Sequence, residues 1–224
     1  MSIQIENFLR IKEELKLFNA ELIAVSKTKP ASDIQELYEM GQRNFGENYV
    51  QELTEKIPQF PSDLNWHFIG HLQSNKVKQI ADLTHLIHGI DSIKLAKEIS
   101  KFGLSKNKKI NCLLQIFIAD EETKFGLDRD EANELFNEYA KGNLAGLQIN
   151  GLMGMASFSD DKTKVGNEFK SLHNLFLEFQ KSDSNIQTLS MGMTGDYKIA
   201  LDNGSNMIRI GSAIFGERNY NNKI

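Results

Sequence analysis

The stretch Leu22-Ile23-Ala24-Val25-Ser26-Lys27-Thr28-Lys29-Pro30 decides how the chain is read. A short apolar run with β-branched residues predicts a buried parallel strand. Pro30 has no backbone N–H to donate and stops it. Alternation places Ile23, Val25 and Lys27 on one face, and Leu22, Ala24 and Ser26 on the other. A lysine at the C-terminal end of such a strand stands where α/β proteins place their chemistry. Partly desolvated, its amine holds a proton less tightly and attacks carbonyls. The plain alternative is a lysine that snorkels from the strand end into water.

Outward from this stretch, strands alternate with helices. Residues 3–18 predict an amphipathic helix, with Ile5, Phe8, Leu9, Ile11, Leu15 and Leu17 among its apolar positions. Pro30-Ala31-Ser32-Asp33 opens a second helix reaching Met40, and Gly41 closes it. Further strands are expected at 43–46, 66–70, 85–90, 110–118, 148–155, 188–191 and 207–211. Helices are expected between them at 48–56, 75–81, 92–102, 129–140, 162–181 and 196–202. Eight strands alternating with helices predict an α/β fold, a single (β/α)8 TIM-like barrel over residues 1–224 with an extra N-terminal helix. An open parallel sheet is the alternative. A unit of roughly 25 residues suits a compact barrel.

Bulk properties exclude several classes. Net charge is -4 across 224 residues, so no global attraction draws the chain to nucleic acid or an anionic membrane. No apolar stretch approaches the ~20 residues of a membrane span. The N-terminus, Met1 to Phe8, is polar and has no signal-peptide core. The single Cys112 lies in an apolar run and reads as a buried, inert thiol. These features point to a cytoplasmic protein.

In a barrel, every strand ends at one rim. Gathered there are Lys27, Gly46-Glu47-Asn48-Tyr49, Gly70-His71-Leu72-Gln73-Ser74, Met153-Gly154-Met155, Met191-Gly192-Met193-Thr194-Gly195 and Arg209-Ile210-Gly211-Ser212. The loops after strands seven and eight form a common phosphate site in such barrels. Each here has a glycine for close approach and a hydroxyl, although Thr194 and Ser212 also read as ordinary helix caps. Arg209 alternates with isoleucines, and a buried guanidinium needs an acceptor. That acceptor is a rim carboxylate or a bound ligand. His67 reads as a hydrogen-bonded core histidine, and His71, His85, His88 and His173 show no metal-ligand spacing. Glu121-Glu122-Thr123-Lys124-Phe125-Gly126 reads as a rim cover or a plain loop.

Several of these blocks together resemble one family. Ala24-Val25-Ser26-Lys27-Thr28-Lys29-Pro30, Phe45-Gly46-Glu47-Asn48-Tyr49-Val50-Gln51-Glu52 and Trp66-His67-Phe68-Ile69-Gly70-His71-Leu72-Gln73-Ser74-Asn75-Lys76 resemble the pyridoxal phosphate homeostasis protein family. So do Lys124-Phe125-Gly126, Gly151-Leu152-Met153, Ser190-Met191-Gly192-Met193 and Arg209-Ile210-Gly211-Ser212-Ala213-Ile214-Phe215-Gly216. The resemblance implies a fold-type III barrel like the N-terminal domain of alanine racemase, without the racemase's second domain. It implies pyridoxal 5'-phosphate (PLP) as cofactor, held through a Schiff base on Lys27. It carries the phosphate turns over to Met193, Thr194, Gly211 and Ser212, and the ring-nitrogen contact to Arg209. Asn48 falls beside the cofactor. Thr194 stands where the family usually has serine, and keeps the hydroxyl.

The implied role is non-enzymatic: binding, buffering and handing on PLP in vitamin B6 balance, with apo-enzymes as recipients and the chain a monomer. The second domain supplies a racemase's opposing base, and a chain of this length is too short to hold it. A small PLP-dependent racemase is the alternative function. A Schiff-base aldolase and a protein-interaction module are further alternatives. Lys29 and Lys76 are candidate acceptors for cofactor exchange, or plain surface lysines.

Overall fold

A computed structural model describes residues 3–119 and 125–216. Glu121 to Lys124, in the loop noted above, lie outside the described residues. Eight parallel strands close into a barrel in sequence order. They are β1 Glu21–Val25, β2 Asn44–Glu47, β3 Asn65–Phe68, β4 Leu86–Ile90, β5 Ile110–Ile116, β6 Leu147–Gly154, β7 Thr188–Ser190 and β8 Met207–Ile210. The barrel closes where β1 pairs with β8, Ile23 beside Arg209.

Around the barrel lie α1 Ile5–Lys16, α2 Ala31–Glu39, α3 Val50–Lys56, α4 Val77–Ile80, α5 Ile93–Ser105, α6 Arg129–Ala140, α7 Lys162–Ser182, α8 Tyr197–Asp202 and α9 Ser212–Phe215. Their ends follow local chemistry. Gly41, at φ +86°, follows the α2 C-cap Met40 in the left-handed region expected of a terminating glycine. Asp128 and Glu131 form a reciprocal capping box at the start of α6. Asp161 accepts from two backbone N–H groups to start α7.

The two faces of the strands bury different cores. Leu22, Ala24, Phe45, Phe68 and Ile208 face outward and pack with Phe8, Leu37 and Phe169 of the helices. Each such fully buried aromatic contributes about 1.5–3 kcal/mol. Ile23, Leu86, Leu113, Met153 and Met207 form a second, smaller cluster inside the barrel. The alternation read from Leu22 to Val25 therefore holds. Cys112 is buried on β5, and burial pushes its thiol well above the ordinary range.

Most strand ends differ from expectation by one or two residues: β2 runs on to Glu47, while β3 stops at Phe68, β6 at Gly154, β7 at Ser190 and β8 at Ile210. β5 stops at Ile116 rather than 118. β1 stops at Val25, so Lys27 is not a strand residue. Ser26 N–H still donates to Gly46 O at 3.0 Å, but Ser26 O then accepts from Lys29 N at 3.0 Å. A turn over Ser26–Lys29, with Thr28 at φ +62°, ends the strand before Pro30 can.

Candidate functional site

The turn presenting Lys27 is braced from below. Lys56 of α3 donates to Ser26 O at 2.9 Å, to Glu47 Oε1 at 2.8 Å and to Glu52 Oε2 at 3.1 Å. Ser26 Oγ donates to Glu47 Oε1 at 2.6 Å, and Thr28 N–H donates to Glu52 Oε2 at 2.8 Å. The residues on both sides of Lys27 are thus tied to one buried cluster. Burial pushes the Glu47 carboxyl up to about 7, against the pull of Lys56 and Ser26. Its Oε2 is buried without a partner among the described residues.

Opposite, the loops after β7 and β8 meet. Ser212 Oγ donates to Thr194 Oγ1 at 3.2 Å, and Ala213 N–H points to the same Thr194 oxygen at 3.5 Å. The expected capping roles do not appear, since the ends of α8 and α9 show no side-chain cap. Both hydroxyls are left beside the first turn of α9, whose leading N–H groups have no partner within the helix. Gly192, at φ +99°, sets the path of the first loop; a Cβ there would lie 2.7 Å from that of Ala200. Met193 is partly exposed, and its N–H donates to Asp196 Oδ1 at 2.6 Å.

Arg209 points into the barrel and is buried. Its Nη1 donates to Ser190 O at 2.8 Å and Ser190 Oγ at 2.7 Å, and its Nη2 to Gly154 O at 3.0 Å. Burial lowers its pKa to about 10, which leaves it charged at neutral pH. Two carbonyls and a hydroxyl accept these hydrogen bonds, and the rim-carboxylate alternative finds no such bond among the described residues.

These groups line one cavity of about 750 Å³ at the rim. Lys27, Asn48, Met193, Thr194, Arg209, Gly211 and Ser212 all border it, between apolar walls of Val25, Ile69 and Met155. The volume and the mix of apolar wall with a few convergent polar groups are those of a small-molecule site. Asn48 Oδ1 is buried with no partner among the described residues, a group left for a bound molecule to satisfy. Lys29 reaches the cavity edge and donates to Phe215 O at 2.7 Å, so it ties α9 to the β1 turn. Lys76 borders a neighbouring cavity that shares Asn48.

Sequence reasoning missed the cluster of Glu47, Glu52 and Lys56. Its signal was the Glu52/Lys56 pair, one helical turn apart, which resembles any solvated i,i+4 pair.

The family model for the N-terminal domain of alanine racemase matches residues 4–219. The pyridoxal phosphate homeostasis protein of Pasteurella multocida is 43% identical over 205 residues, covering 89% of this chain and 87% of the relative. The chain belongs to the pyridoxal phosphate homeostasis protein family. This agrees with the resemblance read from the rim motifs. PipY of Synechococcus elongatus PCC7942, solved with PLP bound, is 32% identical, with a TM-score of 0.84 over 95% of this chain and 100% of PipY. Alanine racemase from Bartonella henselae shares the fold alone, at 16% identity and a TM-score of 0.71 over 96% of this chain and 60% of the racemase. The pyridoxal phosphate homeostasis family thus shares its barrel with a racemase domain. Among the described residues no helix is long and apolar enough to cross a membrane.

Proposed function

We propose that this chain, as one domain over residues 1–224, binds PLP covalently through Lys27 and acts non-enzymatically in vitamin B6 balance, by holding the cofactor and handing it on. The observation that carries the reading is the convergence of Lys27, the Thr194 and Ser212 hydroxyls and the buried Arg209 on one cavity. The names of the family's members and the PLP-bound PipY support it.

The residues fit the cofactor's chemistry. The hydroxyls of Thr194 and Ser212, with the N–H groups at the start of α9, suit a phosphate. The apolar walls suit an aromatic ring. Arg209, charged and deep in the pocket, suits an acceptor such as a ring nitrogen. The unpartnered Asn48 Oδ1 suits a polar substituent. When bound, PLP supplies an aldehyde that condenses reversibly with amines.

The chain's own groups then divide the work. The braced turn holds Lys27 at the mouth, which lowers the entropy lost on bond formation. Arg209 carries a proton it does not release, so it binds an acceptor without protonating it. The same proposal includes a monomer in the cytoplasm with apo-enzymes as recipients. The net charge of -4 supports a role without nucleic acid.

The test is to titrate the purified protein with PLP and follow visible absorbance, in parallel with Lys27→Ala. A saturable band in the native chain, absent from the variant, is expected. Sustained racemisation of added D- or L-alanine would overturn the non-enzymatic part.

A further inference from the structure

A chain of polar groups runs through the barrel beneath Arg209. Ser190 Oγ lies 3.2 Å from His88 Nδ1. His88 Nε2 lies 2.9 Å from His67 Nδ1. His67 Nε2 lies 3.4 Å from Asn44 Oδ1, which also accepts from Asn65 Nδ2 at 2.9 Å. His67, His88 and Ser190 are essentially inaccessible to water.

The direction of every link follows from its lower end. The amide oxygen of Asn44 only accepts, so in a neutral ring His67 carries its proton on Nε2 and accepts at Nδ1. His88 Nε2 therefore donates to His67 Nδ1, and His88 Nδ1 is left to accept the Ser190 hydroxyl proton. Ser190 Oγ in turn accepts from Arg209, which only donates, at 2.7 Å. Both rings must be neutral for this order to stand. Burial drives His67 down to about 3 and His88 well below its ordinary value, with like charge from His85 and Arg209 acting the same way.

Three hydrogen bonds place Nη1 and one N–H of Nη2. Of the guanidinium's five N–H groups, the other two make no hydrogen bond among the described residues, and Arg209 borders the cavity.

We propose that Ser190, His88 and His67 are positioning residues, a one-way donor chain that fixes Arg209 so that its unspent N–H groups meet an acceptor nitrogen in the ring of the bound ligand. This rests on the PLP reading above. It adds a specificity rule, because the chain sets recognition of the ring nitrogen and leaves the phosphate and aldehyde ends untouched.

The test compares PLP with an analogue whose ring nitrogen is replaced by C–H. In His88→Leu, PLP binding should weaken by about tenfold while binding of the analogue is unchanged. His88→Asn keeps an acceptor toward Ser190 and should restore most of the loss. Ser190→Ala should repeat the selective loss, and serves if the His88 variants do not fold. Nitrogen-15 NMR of the ligand-free native protein should show His67 and His88 neutral and protonated on Nε2 from about pH 6 to pH 8. Equal loss for both ligands, no loss for either, or a histidine protonated on Nδ1 would overturn the proposal. Native protein that binds neither ligand would instead overturn the PLP reading.

Discussion

Lys56 reaches from α3 to within 2.9 Å of the carbonyl of Ser26, the residue immediately before Lys27. A buried ammonium thus stabilises the turn that carries the proposed anchor. The tie links the first strand's end to the second βα unit, and it makes the mouth of the cavity dependent on residues outside it.

Lys56→Met removes the buried ammonium from Glu47 and Ser26 O, leaving Glu47 with only the Ser26 hydroxyl and Ser26 O with only the Lys29 N–H. Breaking a buried pair from one side costs about 3 kcal/mol or more. Urea unfolding of the ligand-free protein should show that loss. A change under about 0.5 kcal/mol, the level of an exposed pair, would rule out the brace.

Glu47 adds a pH dependence. Its carboxyl sits at about 7 in the folded chain, above the ordinary value of 4.5. The unfolded chain therefore ionises first, and stability from this group is full below about pH 4.5 and falls as pH rises toward 7. Relative to Glu47→Gln, the native protein should lose up to roughly 3 kcal/mol over that window and level off above it. Unfolding curves for both at several pH values check the sign. A native protein that gains on the variant as pH rises would contradict it.

Thr194 and Ser212 face each other at 3.2 Å across the two rim loops. Thr194→Ala should weaken PLP binding by about tenfold, the loss of one hydrogen bond to a charged group, while Lys27 still captures the aldehyde. Thr194→Ser should bind like the native chain. Equilibrium dialysis measures all three, and an unaltered Thr194→Ala affinity would remove the hydroxyl from the phosphate site.

Gly192 holds φ +99°, and a Cβ would lie 2.7 Å from that of Ala200. Gly192→Ala should cost more than ~1 kcal/mol, read as a Tm lower by at least about 2–4 °C. An unchanged Tm would mean the loop rearranges freely.

The barrel was legible because its signal is local. Apolar alternation in Leu22 to Val25 and again in Met207 to Ile210 assigns faces without knowledge of the partner strands. The rim residues were legible for the same reason, since a strand end is a position in sequence. What stayed hidden depends on closure. The end of β1 is set by Lys56 and Glu52, which read locally as a solvated helix pair. His88 was assigned only a lack of metal-ligand spacing, because its partner Ser190 is 102 residues away along the chain and meets it only inside the closed sheet. Lys29 read as a surface lysine or exchange acceptor, and the carbonyl of Phe215 that holds it comes from the last helix.

The central claim is that Lys27 is the covalent anchor. The direct measurement is borohydride reduction of the PLP-loaded native chain, followed by proteolysis and mass spectrometry. The account predicts one reduced pyridoxyl phosphate on the peptide containing Lys27, and none in Lys27→Ala. A label on Lys29, Lys76 or another lysine, with Lys27 unmodified, would contradict it.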